Sequence, residues 1–150
     1  MKLLIVRHGE AGPAVSDAAR TLTDAGRADV ARVADALVAR DVQVNQIRHS
    51  GRVRARETAE ILAARLEPAA GVIETPGLHP EDPVDPMAMS LFGERESLMF
   101  VGHLPFVAHL VGRLTEGDAR RTPVNFPTST VACLEGEDDR WELAWIERPG

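Results

Sequence analysis

Residues 1–12, MKLLIVRHGEAG, place four apolar side chains directly before an arginine, a histidine and a glycine. A fully apolar run of this length is typical of a strand that is buried on both faces, so we predict a strand over residues 2–7. No linker separates the run from Arg7 and His8. The sequence therefore predicts a cationic pair at the very end of a buried strand.

The same pattern returns near the middle of the chain, and amphipathic segments separate the two copies. SLMFVGH (residues 97–103) is a second apolar run that ends on a glycine and a histidine. Thr23 is predicted to cap a helix that runs to about Arg40, and Ser50 is predicted to cap the next helix, because apolar residues follow each at helical spacing. A third helix is predicted after His103, with Pro105 in its first turn.

Weaker signals complete the secondary structure. Short strands are predicted at about 44–48 and 72–75, a short helix at about 85–94, and an antiparallel hairpin from STVACLE and WELAWIE at the end of the chain. Strands that alternate with amphipathic helices favour an α/β fold. We predict a mostly parallel central sheet covered on both faces, which is a three-layer αβα sandwich.

Composition limits the classes of function. A chain of 150 residues without a linker or repeat predicts one domain over 1–150. The net charge of −6 disfavours nucleic acid and anionic membranes as partners, so any anion site must be local. Cys133 is the only cysteine, which rules out an internal disulfide, and the first apolar run is too short for a signal peptide or a membrane span. We expect a cytoplasmic monomer.

The polar residues after the strands suggest phosphoryl chemistry. Ligands of such sheets bind beyond the carboxyl ends of the strands, where Arg7, His8 and His103 would meet the arginines of RVRAR (residues 52–56). Histidines and arginines without a carboxylate pair or cysteine suit a tetrahedral oxyanion better than a metal. Histidine is also an established covalent nucleophile. No metal and no cofactor is predicted.

Four segments together resemble a known family. VRHGE (6–10), LTDAG (22–26), SGRVRARETA (50–59) and VGHLP (101–105) are similar, in the same order, to motifs of the histidine phosphatase superfamily, which has the phosphoglycerate mutase-like fold. The small size, RHGEA, GHLP and NFPTSTVACL look most like its SixA branch, the phosphohistidine phosphatases.

This resemblance implies a metal-independent phosphatase that acts on a phosphohistidine-bearing protein such as a phosphotransfer domain. It implies that His8 is the phosphorylated nucleophile, that Arg7 and Arg54 hold the phosphoryl oxygens, and that His103 completes the pocket. Gly9 and Glu10 are expected beside the substrate, although a plain solvated carboxylate is an equal interpretation of Glu10. The family spacing selects Arg54 over its neighbours Arg52 and Arg56.

Two segments depart from the family pattern. The family's Ser-Pro is Ser50-Gly51 here, and the loop GLHPEDPVDP (77–86) has no obvious proton donor. Glu81 and Asp82 are the candidates for that role, with His79 as a third. The alternative functions are a small-molecule phosphomonoesterase of the same fold and a non-catalytic module that binds a phosphorylated ligand. A mutase and a metallohydrolase fit the sequence less well.

Overall fold

A six-stranded sheet forms the centre of the molecule in the computed structural model, which describes residues 1–150. The strands are β1 (Lys2–Arg7), β2 (Gln46–His49), β3 (Val72–Glu74), β4 (Leu98–Gly102), β5 (Val131–Glu137) and β6 (Arg140–Glu147). The helices are α1 (Asp24–Ala39), α2 (Val53–Leu66), α3 (Asp85–Ser90) and α4 (Phe106–Glu116), with a 3-10 turn at Asp17–Ala19. The strand order is β3-β2-β4-β1-β5-β6, so the two predicted apolar runs are neighbours.

The register of β1 and β4 brings their polar ends together. The two strands are parallel, and Arg7 lies opposite Gly102. The backbone N–H of His8 donates to the carbonyl oxygen of Gly102 at 3.0 Å. The strands β2 and β3 continue the parallel part, while β5 and β6 form the predicted antiparallel hairpin. His8 and His103 therefore leave the sheet side by side at one edge.

Helices cover both faces of the sheet, as the sequence predicted. Leu3 and Ile5 of β1 pack in one core with side chains of α3 and α4. Leu4 and Val6 pack in a second core with side chains of α1 and α2. This alternation is the two-residue period of a strand buried on both faces, and it confirms the three-layer αβα arrangement. None of the helices combines the length and the apolar composition needed to cross a bilayer.

The helix caps agree with the sequence in one case and not in the other. Thr23 caps α1, and its hydroxyl accepts from the N–H of Gly26 at 2.9 Å. Ser50 does not cap α2, since that helix begins at Val53 with Arg52 at the N-cap position. The prediction was wrong because the helix begins further along the chain. The Oγ of Ser50 accepts from the N–H of Arg52 at 3.3 Å, before the helix, and lies 2.6 Å from Nε2 of His103.

Gly51 explains the departure from Ser-Pro. Its φ is +92°, which proline cannot adopt because its ring holds φ near −65°. Its N–H, which proline would lack, donates to Nδ1 of His49 at 3.0 Å. A Cβ at this position would lie 2.6 Å from Cδ of Glu74. The chain therefore takes a different path between β2 and α2 from one that contains proline.

Candidate active site

His8 is held in one tautomer at the end of β1. The side chain is 6% exposed, and its Nδ1 lies 2.7 Å from the carbonyl oxygen of Gly9. A carbonyl oxygen can only accept, so Nδ1 is the nitrogen that carries the hydrogen. Nε2 consequently holds the lone pair, and the Nε–H of Arg54 donates to it at 3.3 Å. Nε2 of His8 is thus the unprotonated ring nitrogen, and Arg54 is its hydrogen-bond donor.

The surroundings keep His8 uncharged. Burial is the main cause that lowers its pKa, to about 4, and the hydrogen bond to Gly9 opposes that shift only in part. The positive charges of Arg54, Arg7 and Arg20 lower the pKa further. At neutral pH the imidazole is therefore neutral, which is the form that can attack an electrophile.

His103 faces His8 across the edge of the sheet. The two ring centroids are 5.0 Å apart, and His103 is 2% exposed. Burial lowers its pKa to about 2, with smaller effects from His8 and Arg54. Nε2 of His103 contacts Ser50, while Nδ1 is buried and has no partner within the protein. Two neutral imidazoles therefore line one small site.

Arg54 is placed by the first turn of α2. Its side chain is 4% exposed, and its backbone carbonyl accepts from the Thr58 hydroxyl at 2.8 Å. The same hydroxyl accepts from the N–H of Gly9 at 3.0 Å, so Thr58 ties the helix to the loop that follows His8. A Cβ on Gly9 would lie 2.8 Å from Cγ2 of Val30, which explains why glycine stands next to the histidine.

Arg7 is held by the segment that leads into β5. Its Nη1 donates to the carbonyl oxygen of Phe126 at 2.9 Å, and its backbone N–H donates to Thr130 at 3.1 Å. The N–H of Ser129 donates to the carbonyl oxygens of both Arg7 and His8. Nε of Arg7 is buried and has no acceptor in the protein. This guanidinium therefore keeps a donor that a ligand oxygen could satisfy.

The predicted acidic residues lie outside this group. The Glu10 carboxylate is exposed and accepts from the Thr23 hydroxyl at 2.7 Å. Asp82 accepts from the backbone N–H of His79 at 2.8 Å, and Glu81 is exposed. Of the three proton-donor candidates, His79 alone contacts a cation near the site, because its Nδ1 accepts from Nε of Arg52 at 3.2 Å.

Sequence reasoning missed the acidic residue that does contact the site. Asp17, on the 3-10 turn, accepts from Arg54 twice: its backbone carbonyl binds Nη1 at 2.8 Å and its Oδ2 binds Nη2 at 3.2 Å. The Arg52 guanidinium contacts the same Oδ2, and Arg20 lies 3.4 Å from Oδ1. Together with Arg7, these residues make a local cationic cluster in an acidic protein. No group of three or more His, Cys, Asp or Glu side chains is placed to hold a metal ion.

The buried histidines predict a pH-dependent stability. In the unfolded chain they titrate near pH 6.5, whereas folding lowers the pKa of His8 to about 4 and that of His103 to about 2. Between about pH 6.5 and 4 the unfolded state binds more protons, so the free energy of unfolding should rise with pH, by at most about 1.4 kcal/mol per pH unit for each histidine. Urea denaturation between about pH 7 and 5 measures the slope. The dependence of the free energy of unfolding on pH should be weaker in His8→Gln. No dependence on pH in the unmodified protein would contradict the lowered pKa of these histidines.

Comparisons with known proteins show which proteins this chain resembles. The family model described as "Histidine phosphatase superfamily (branch 1)" matches residues 3–80. Phosphohistidine phosphatase SixA of Escherichia coli (strain K12) is 31% identical over 139 residues, which cover 89% of this chain and 84% of that protein. A solved structure of the protein histidine phosphatase SixA complexed with tungstate matches with a TM-score of 0.91 and 29% identity, over 99% of this chain and 97% of that one.

A more distant enzyme shares the fold alone. The native structure of a mycobacterial glucosyl-3-phosphoglycerate phosphatase matches with a TM-score of 0.72 at 18% identity, over 95% of this chain and 96% of that one. The likeness to SixA thus extends through sequence and structure over nearly the whole chain.

Proposed function

Because the chain belongs to the histidine phosphatase superfamily and is a phosphatase, we propose that it hydrolyses phosphohistidine on a protein through a covalent phosphohistidine intermediate on His8. The observation that carries the proposal is the state of His8. Its imidazole is buried and neutral, Gly9 fixes its Nδ1–H, and its Nε2 is unprotonated and faces Arg54. The Escherichia coli relative is named a phosphohistidine phosphatase, which suggests the substrate class.

In the first step, Nε2 of His8 forms a bond to phosphorus while the bond from phosphorus to the leaving nitrogen breaks. The electron pair of the broken bond goes to the leaving imidazole, whose other nitrogen holds a proton taken from solvent. Forming the new bond consumes the Nε2 lone pair, so the Nε–H of Arg54 becomes free to donate to a phosphoryl oxygen. In the second step, water attacks phosphorus, Nε2 of His8 recovers its electron pair, and inorganic phosphate leaves.

Arginines supply the positive charge that the transferring phosphoryl group needs. We propose that Arg54 and Arg7, whose Nε–H has no acceptor within the protein, hold the oxyanion and that His103 completes the pocket. A related structure holds tungstate, itself a tetrahedral oxyanion. We propose that this cationic cluster replaces a divalent metal, so that catalysis is metal-independent.

The choice of phosphohistidine rests on the leaving group. An alkoxide leaves poorly unless an acid protonates it, a contribution worth about 10²–10⁴ in rate. Glu81 and Asp82 make no hydrogen bond to the arginines or histidines of the site. An imidazole leaves readily once solvent has protonated its distal nitrogen. The site therefore suits phosphohistidine better than sugar or glycerate phosphates.

A comparison of substrates tests this proposal. We expect kcat/KM for a phosphohistidine peptide or phosphotransfer domain to exceed that for glycerate phosphates by about 10²-fold or more, with activated aryl phosphates in between. Exhaustive chelation should leave the activity intact. Equal efficiencies for the two substrates would mean that the enzyme is a general phosphomonoesterase with a competent proton donor, and no turnover would leave a binding module.

The double variant Glu81→Gln/Asp82→Asn examines the 77–86 loop in the same assay. We expect any loss to be greater for the ester than for phosphohistidine, because only the ester needs an acid. An equal loss on both substrates would show that the loop acts by shaping the site.

A further inference from the structure

The carboxylate of Asp17 lies at the outer side of the site. Its side chain is 52% exposed, whereas those of Arg54 and His8 are almost fully buried. The Arg54 guanidinium connects the two, because its Nε–H donates to Nε2 of His8 and its Nη2 donates to Oδ2 of Asp17. His8 thus lies at the buried end of the site, and Asp17 lies at its solvent-exposed end.

Asp17 is charged at neutral pH. Desolvation is the largest single effect and raises its pKa, but the hydrogen bonds and charges of Arg54, Arg20 and Arg52 together outweigh it, so the pKa lies below its usual value. A carboxylate in this state has no proton to give and can only accept a hydrogen bond. It is therefore unsuited to act as the general acid for an alkoxide.

In-line phosphoryl transfer directs the leaving group away from His8, toward the exposed part of the site, and Asp17 is exposed. The attacking and leaving atoms lie roughly in line on opposite sides of phosphorus. With Nε2 of His8 attacking from the buried side, the leaving group must point away from His8, toward the solvent-exposed end. A substrate presented by another protein also has to enter from that side.

We propose that Asp17 is a specificity-determining residue whose carboxylate accepts a hydrogen bond from the protonated distal nitrogen of the phosphohistidine ring and disfavours esters. This inference rests on the proposed function. Before transfer the ring is an imidazolium, which the carboxylate stabilises. As the phosphorus–nitrogen bond breaks, its electron pair returns to the ring and a neutral imidazole leaves, still holding its N–H toward Asp17. An ester oxygen would instead develop negative charge beside a carboxylate.

Asp17→Asn is the direct test, because it removes the charge with little change of shape. The backbone carbonyl of Asp17 still holds Nη1 of Arg54, so the guanidinium keeps its place. We expect kcat/KM for a phosphohistidine peptide to fall about tenfold, which is the size of one charge-assisted hydrogen bond, while that for an aryl phosphate stays within about twofold or rises. The alkaline limb of the phosphohistidine pH profile should also move to lower pH, since an imidazolium that has lost its acceptor gives up its proton more readily.

The matched control is Asp139→Asn, which makes the same charge change in the exposed turn between β5 and β6 and should alter neither substrate. Equal losses on both substrates would show that Asp17 only positions Arg54, and equal gains would show that it only competes with phosphate. Either result overturns the inference while leaving the proposed function intact. If the unmodified protein turns over aryl phosphate but not phosphohistidine, the proposed function fails, and this inference with it.

Discussion

Turnover of every phosphoryl substrate should fall by about 10⁴-fold or more in His8→Ala, because the variant lacks the atom that accepts the phosphoryl group. No neighbouring group offers an equivalent lone pair, since Nε2 of His103 is engaged with Ser50 and its Nδ1 is buried. Initial rates with phosphohistidine and aryl phosphate measure the effect.

A second histidine provides the control for this substitution. His109→Ala changes a partly buried histidine on α4, outside the site, and should keep most of the activity. Urea denaturation of both variants separates a catalytic loss from a loss of fold. Comparable turnover in folded His8→Ala and in the unmodified protein would exclude His8 as the nucleophile.

Arg54→Ala should reduce kcat/KM by about 10²–10³-fold, the usual cost of removing one preorganised donor from a transition-state charge. The effect is large because this guanidinium is 4% exposed and touches Nε2 of His8 directly. Arg56, two residues along α2, is 51% exposed and lies 3.5 Å from Glu60, so Arg56→Ala should be close to neutral.

The neighbouring arginines make this comparison sharp. Arg52 contacts Asp17 and His79 rather than His8, and Arg52→Ala should leave most of the activity. All three variants lose one positive charge from the same turn of helix, so long-range electrostatics alone would affect them similarly. A larger loss in Arg52→Ala or Arg56→Ala than in Arg54→Ala would contradict the assignment of Arg54 as the arginine that holds the phosphoryl oxygens.

The sequence was sufficient to predict the fold and the central part of the site. Four apolar residues in β1 can be satisfied only by cores on both sides, and Leu3 and Leu4 do pack into opposite cores. Because parallel strands end at the same edge, the placement of His8 beside His103 followed from the strand pattern. The spacing of the family motif selected Arg54. Thr58, one helical turn later in the same motif, is fully buried and donates to the backbone carbonyl of Arg54.

The rest depends on tertiary contacts that carry no local signal. The segment SDAAR (residues 16–20) has neither helical nor strand periodicity, and the contact of Asp17 with Arg54 joins residues far apart in the chain. Serine is a common helix-capping residue, yet the hydroxyl of Ser50 contacts His103. Gly51 has a positive φ, and a Cβ there would lie against the side chain of Glu74, a residue of another strand. In each case the contact joins residues distant in the chain, which a local sequence pattern cannot reveal.

If the phosphoryl group passes through His8, the phosphorylated enzyme can be trapped. The unmodified protein is mixed with a phosphohistidine substrate, quenched in base to preserve the acid-labile phosphorus–nitrogen bond, and digested for mass spectrometry, with His8→Ala treated in parallel. We expect one phosphoryl group on the peptide that contains His8 and none in the variant. Turnover without any phosphorylated enzyme, or a phosphoryl group on the peptide that contains His103, would contradict transfer through His8.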